Sequence, residues 1–169
     1  GVLFYQIQLY SDTIEQVYYL GMSLYGWVSW SHTRSERKRI PARFTAPSAA
    51  AVWAAATLCA SVMLALAVAR FHLWFPRLFP APASFPFLDA LTTVMSFVAM
   101  FLMTRRRTES WVYWIIVDVV GIGLYWVKDV RFIALQYVVL LGMASYGLIR
   151  WIRTEHAETA PAETSDVPA

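Results

Sequence analysis

The sequence predicts an all-α integral membrane protein: two parallel three-helix bundles joined by one connector helix, the first bundle incomplete. Three observations carry this expectation. Of 169 residues, 59% are apolar and only 15% charged, against roughly 45–50% and about 25% in a soluble domain. The apolar residues fall in charge-free stretches of membrane-spanning length. An eleven-residue pattern near the start also returns near the end, at a matching place among those stretches.

Composition also narrows the function. So apolar a chain is neither disordered nor an ordinary soluble enzyme, and no nucleic-acid partner is expected. One cysteine, Cys59, leaves no disulfide scaffold and no cysteine-based metal site. His32, His72 and His156 are far apart in sequence. No metal, cofactor or catalytic group is therefore expected. The net charge of +3 divides into a body of +7 and a C-terminal tail, residues 154–169, of −4.

In chain order, Gly1 leads straight into Val2-Leu3-Phe4-Tyr5, with nothing resembling a signal peptide. Residues 1–11 read as the last half of a span, so the chain is expected to begin inside an apolar segment. Residues 16–33 hold 18 positions without a charge. Residues 1–31 thus form the end of the first bundle. A basic loop, 32–48, follows with Arg34, Arg37, Lys38, Arg39 and Arg43. Residues 44–69 contain 26 uncharged positions, and the connector helix is placed at 49–70, from this Ala-rich run to Arg70. Small residues permit close helix approach, so it packs between the bundles or against another subunit.

Residues 71–87 hold four of the eight prolines and six aromatics, so they are not helical throughout. They read as an outer connection at the membrane interface, where aromatic rings are favoured. The second bundle, 88–152, contains three spans. Residues 90–104 have 15 uncharged positions, 110–127 have 18 with the single acid Asp118, and 132–149 have 18. The remaining 153–169 form an acidic tail without aromatics, expected to be disordered. If each stretch crosses once, ten basic residues fall on one side and four on the other. The positive-inside rule then puts the C-terminus in the cytoplasm.

The repeat aligns Leu20-Gly21-Met22 with Leu141-Gly142-Met143, Tyr25-Gly26 with Tyr146-Gly147, and Trp30 with Trp151, at a constant offset of 121. Each copy is followed by basic residues. The two units therefore run the same way through the membrane, and the lone connector crossing restores the orientation. Parallel repeats about an axis along the membrane normal are a transporter architecture, with the substrate site between them near mid-membrane. The Gly21/Gly26 and Gly142/Gly147 pairs are expected as close-packing seams.

Trp111, Trp114 and Asp118 stand at i, i+3, i+7 and share a helix face, continued by Gly121 and Tyr125. At about 1.5 Å per residue, Asp118 lies roughly 10 Å deeper than Trp111. A carboxylate at such depth is costly and normally faces a cavity or a partner. Indoles stack on a flat ring, more strongly if it is cationic. Gly121 leaves space for a ligand or for a close helix. A second polar face carries Gln16, Tyr19 and Ser23, and Gln136 and Tyr146 belong to the last helix. Asp89, Thr92, Thr93 and Ser96 line the start of the 88–104 span. The substrate-binding set expected here is Trp111, Trp114, Asp118, Gln16, Tyr19 and Gln136.

Through Tyr10-x-Asp12-x3-Gln16, Tyr25-Gly26-Trp27-x2-Trp30 and Arg107-x-Glu109-x-Trp111-x2-Trp114-x3-Asp118, ending at Tyr146-Gly147-x3-Trp151, the chain resembles the PnuC-type vitamin transporters. The resemblance spans about Tyr10 to Trp151, and the third motif is the specific one. It implies a fold related to the SWEET sugar transporters, a homotrimer, and a vitamin held by the Trp-x2-Trp-x3-Asn/Asp signature. It further implies facilitated diffusion of nicotinamide riboside across a bacterial inner membrane, with a cytoplasmic kinase trapping the product for NAD biosynthesis. Relatives carry thiamine, riboflavin or deoxynucleosides. Asp118 stands where nicotinamide riboside carriers mostly have Asn, and an acid suits either the pyridinium of nicotinamide riboside or the thiazolium of thiamine.

An energy source is not indicated: there is no Gly-rich phosphate loop with Lys and no chain of buried acids or histidines for protons. An intramembrane enzyme would need paired groups, and the only acid pair, Asp89 and Asp118, is split between surface and depth. A non-transporting membrane scaffold is the remaining class.

Overall fold

The computed structural model describes residues 16–31, 43–74, 76–77 and 85–159, and among them the fold is all-helical. Helix α1 covers residues 16–31. It is followed by α2 (Pro47–Trp74), α3 (Pro86–Thr104), α4 (Glu109–Val127) and α5 (Arg131–Thr159). Four of these are long and apolar enough to cross a membrane: Pro47–Phe71, Pro86–Thr104, Glu109–Val127 and Arg131–His156. The chain is therefore a multi-pass membrane protein. The half-span expected at 1–11 lies outside the described residues, as do residues 32–42 of the basic loop expected at 32–48.

Local chemistry sets the helix boundaries. Prolines open α2 and α3 at their first positions, where a missing N–H costs nothing. Glu109 opens α4 with an acid in the first turn, favourable to the helix dipole. Helix α3 ends in a Schellman turn: Arg107 N donates to Leu102 O at 2.9 Å and Arg106 N to Met103 O at 2.9 Å. Helix α4 ends the same way, with Val130 N donating to Tyr125 O at 2.9 Å and Asp129 N to Trp126 O at 3.1 Å. Both turns need a left-handed residue, and both use a non-glycine there: Arg106 at φ 55° and Asp129 at φ 58°.

Helices pack in order, α2 on α3, α3 on α4 and α4 on α5. On α2 the buried face is Thr57, Ser61 and Ala65, four residues apart. Its hydroxyls are satisfied within the helix, Thr57 to Trp53 O at 2.8 Å and Ser61 to Thr57 O at 2.7 Å, so they are buried without leaving polar groups in an apolar layer. Trp53 meets Phe101 of α3 with ring centroids 5.6 Å apart. The connector thus lies along α3 among the described residues.

Helix α1 closes onto both α3 and α5. Tyr18 donates to Phe97 O at 2.9 Å and stands 4.6 Å from the Phe97 ring, while Trp30 meets Trp151. Below, residues entering α2 are pinned to the α3–α4 turn. Arg43 N donates to Arg106 O at 3.3 Å, Thr108 N donates to Arg43 O at 3.2 Å, and Thr45 N donates to Glu109 Oε1.

Four boundaries differ from the sequence reading. Helix α2 starts at Pro47 rather than 49. Helix α2 runs four residues past Arg70 to Trp74, because no proline intervenes before Pro76. Helix α3 starts at Pro86 rather than 88. The tail expected to be disordered from 153 is helical as far as Thr159. Glu155, Ala157 and Glu158 are good helix formers with no proline before Pro161. Residues 160–169 lie outside the described set.

Candidate functional site

Helix α4 lies between α3 and α5, and the space between those two is floored by α4 and bounded on another side by α1. A cavity of about 490 Å³ occupies it, within the usual range of roughly 300–1,000 Å³ for small-ligand sites. From α4 it takes Trp114, Val117, Asp118, Gly121, Leu124 and Tyr125. Spacings of three and four put these on one helical face. From α3 come Asp89, Thr92, Thr93, Ser96 and Met100, from α1 Gln16 and Tyr19, and from α5 Gln136, Tyr137 and Leu140.

Asp118 is the tenth of the nineteen residues of α4, midway along a spanning helix, about 14 Å from either end at 1.5 Å per residue. It is only 3% exposed. Among the described residues no side chain donates a hydrogen bond or ion pair to it. A buried carboxylate on a cavity wall can attract a cation or accept hydrogen bonds from hydroxyls. Trp114, one turn away, supplies an indole to the same wall.

Five of the six expected binding residues, Trp114, Asp118, Gln16, Tyr19 and Gln136, line this one cavity, as do Asp89, Thr92, Thr93 and Ser96. Trp111 does not reach the wall. Its ring lies against Gly147 of α5, where a built Cβ would fall 2.6 Å from the ring carbons, and it meets Trp151 edge-on with centroids 5.5 Å apart. Ser23 and Tyr146 also stand off the wall, Tyr146 at 66% exposure. Of the four glycines expected as seams, two are close-packed. Gly147 faces Trp111, and Gly26 faces the Thr104 methyl at 3.3 Å. Gly21 and Gly142 have nothing within 4 Å among the described residues.

At the end of the cavity near the α4–α5 turn, Lys128 Nζ pairs with Asp89 Oδ1 at 3.2 Å and stands 5.8 Å from the Tyr125 ring centroid. Toward the basic end the space is filled instead. Ala99 and Ala144 are buried, and Trp111, Trp151 and Trp30 pack there in a row. The depth of Asp118 was legible as a charge in an apolar run. Tyr137 was not legible, because no spacing within one helix tells which residue of α5 faces Gly121 of α4.

The model of the nicotinamide mononucleotide transporter family matches residues 1–153. The nicotinamide riboside transporter PnuC of Escherichia coli is 29% identical over 172 residues, covering 91% of this chain and 71% of the relative. The riboflavin/roseoflavin transporter RibM of Streptomyces davaonensis is 27% identical over 151 residues, covering 87% of this chain and 66% of the relative. The nicotinamide riboside transporter PnuC of Neisseria mucosa is 36% identical over 77 residues, covering 42% and 29%. No solved structure matches the chain at a significant level.

Proposed function

This chain belongs to the nicotinamide mononucleotide transporter family, and on that premise we propose that it carries nicotinamide riboside across the membrane. The observation that carries this reading is the buried carboxylate of Asp118 on the wall of a ligand-sized cavity, one turn from Trp114. A pyridinium ring is flat and cationic. It stacks on an indole through its π face and is neutralised by a carboxylate in the low-dielectric interior. The ribose hydroxyls then meet the polar groups of Gln16, Tyr19 and Gln136 and the Thr92–Ser96 stretch of α3. Trp111 acts from behind: seated on Gly147, it holds the basic end of α4 against α5 rather than facing the substrate.

Movement is by facilitated diffusion in this proposal, with a cytoplasmic kinase trapping the product. The C-terminus is cytoplasmic, the assembly is a homotrimer surrounded by lipid, and the membrane is the bacterial inner membrane. Thiamine, also cationic and aromatic, is the alternative cargo for the same carboxylate. Riboflavin is a further one, since the relative RibM is a riboflavin/roseoflavin transporter by name.

Calorimetric titration of the purified full-length protein with nicotinamide riboside, thiamine and riboflavin tests the assignment, beside Asp118→Asn. Saturable nicotinamide riboside binding that Asp118→Asn weakens is expected. Preference for thiamine or riboflavin keeps the site and changes the cargo. Binding of none by a well-folded sample rejects the proposal.

A further inference from the structure

We infer that Tyr137 is the selectivity-determining residue of the cavity, limiting the width of the aromatic ring that lies beside Asp118, and that Gly121 is the residue that positions it. This rests on the carrier reading above and concerns the size of cargo that site admits.

Gly121 lies one turn beyond Asp118 on the same face of α4, and both line the cavity. A Cβ built on Gly121 would fall 2.7 Å from two carbons of the Tyr137 ring and 3.0 Å from a third. Real Cβ atoms do not approach that closely, so the ring of Tyr137 occupies a notch that only glycine leaves in α4. A second contact fixes its plane. Tyr125, one turn further along α4, stacks on Tyr137 with centroids 5.5 Å apart and planes inclined by 19°. Offset stacking of this kind favours one ring orientation. Tyr137 is thus held at two points by α4 while its ring forms part of the α5 wall of the cavity.

Across the cavity stand Thr92, Thr93, Ser96 and Met100 of α3. One wall is therefore aromatic and held in place, and the other is lined mainly by hydroxyls. Such a slot fits a flat heteroaromatic ring joined to a sugar or polyol. Its width is set by packing, and packed interiors resist even small changes of volume. A single pyridine ring and a fused tricycle differ by far more than a methylene, a difference that by itself gives about 10- to 200-fold discrimination in an apolar pocket. Rotating Tyr137 away, or removing it, opens the slot toward the wider ring system.

The test is uptake of radiolabelled nicotinamide riboside and riboflavin into proteoliposomes carrying the full-length protein, comparing wild type with Tyr137→Phe, Tyr137→Ala and Gly121→Ala. Tyr137→Phe keeps the ring and is expected to leave the riboflavin-to-nicotinamide-riboside ratio within about twofold of wild type. Tyr137→Ala is expected to raise that ratio about tenfold or more. Gly121→Ala leaves Tyr137 chemically intact but evicts its ring, and is expected to move the ratio the same way. A merely structural role would lower both uptakes together and leave the ratio unchanged. An unchanged ratio in both alanine variants, with nicotinamide riboside still carried, overturns the inference while the carrier reading stands. If Tyr137→Ala does not insert, Tyr137→Leu replaces it, and an unchanged ratio there and in Gly121→Ala has the same meaning. Wild-type protein that carries neither compound rejects the nicotinamide riboside reading and this inference with it, and that control is read before any variant.

Discussion

Trp30 of α1 and Trp151 of α5 meet at the basic end of the molecule, ring centroids 6.4 Å apart and planes inclined by 51°. They are also the last matched pair of the internal repeat, 121 residues apart. Each is held from its own side. Trp30 donates its indole N–H to Thr104 O at 3.2 Å, and the Arg106 guanidinium stands 5.2 Å from its ring. Trp151 takes Trp111 edge-on at 89°.

A double-mutant cycle measures this contact. Trp30→Ala and Trp151→Ala each lower the unfolding temperature in detergent, and their effects are less than additive. The expected coupling is about 0.5–1.5 kcal/mol, the range for aromatic pairs. Strict additivity would mean that the two rings share no energy.

Gly147 and Gly142 are one and a half turns apart on α5 yet face different surroundings. A methyl at Gly147 collides with the Trp111 ring at 2.6 Å, whereas one at Gly142 meets nothing within 4 Å among the described residues. Gly147→Ala is expected to cost about 1–3 kcal/mol through overpacking. Gly142→Ala is expected to be neutral or stabilising by up to about 1 kcal/mol, since alanine is the better helix former. Thermal unfolding of the two variants side by side checks the contrast, and Gly147→Ala combined with Trp111→Leu should recover part of the loss.

At Asp118, two substitutions separate charge from hydrogen bonding. Removing a charge-assisted hydrogen bond costs about 1.5–3 kcal/mol, so Asp118→Ala is expected to weaken nicotinamide riboside binding about 10- to 100-fold. Asp118→Asn keeps an acceptor and is expected to lose less. Equal losses in a calorimetric titration would assign the whole effect to charge, and no loss in either would remove Asp118 from the site.

Asp129 holds a left-handed conformation, φ 58°, at the end of α4. Its ion pair with Arg131, at 3.2 Å, joins two exposed side chains, and such pairs contribute about 0–1 kcal/mol. Glycine adopts this backbone without steric penalty. Asp129→Gly is therefore expected to leave stability unchanged or to raise it by about 0.5 kcal/mol. A marked drop in unfolding temperature would show that the Asp129 side chain matters beyond the turn.

Much of this protein was legible in the order of its residues. Apolar runs that cross a bilayer must be helices, because lipid offers no partner for a backbone amide. That argument located α2, α3 and α4 within a few residues, and the start of α5. It failed only at ends decided by the next proline, as at Trp74 and Thr159. Asp118 stood out because a lone acid in an apolar run is too costly to be incidental. Helical spacing then placed Trp114 on its face, and Gln16, Tyr19 and Gln136 were marked as polar positions in apolar helices. What spacing does not contain is how one helix is rotated and shifted against the next. Trp111 and Trp114 share a face and a motif, yet only Trp114 reaches the cavity, because α5 brings Gly147 against Trp111. Likewise Gly121 was readable as a gap in α4, but that Tyr137 fills it was decided by the fit of two helix surfaces. Periodicity belongs to a single helix and is written in the chain, whereas the partner of each side chain is set by close packing between helices.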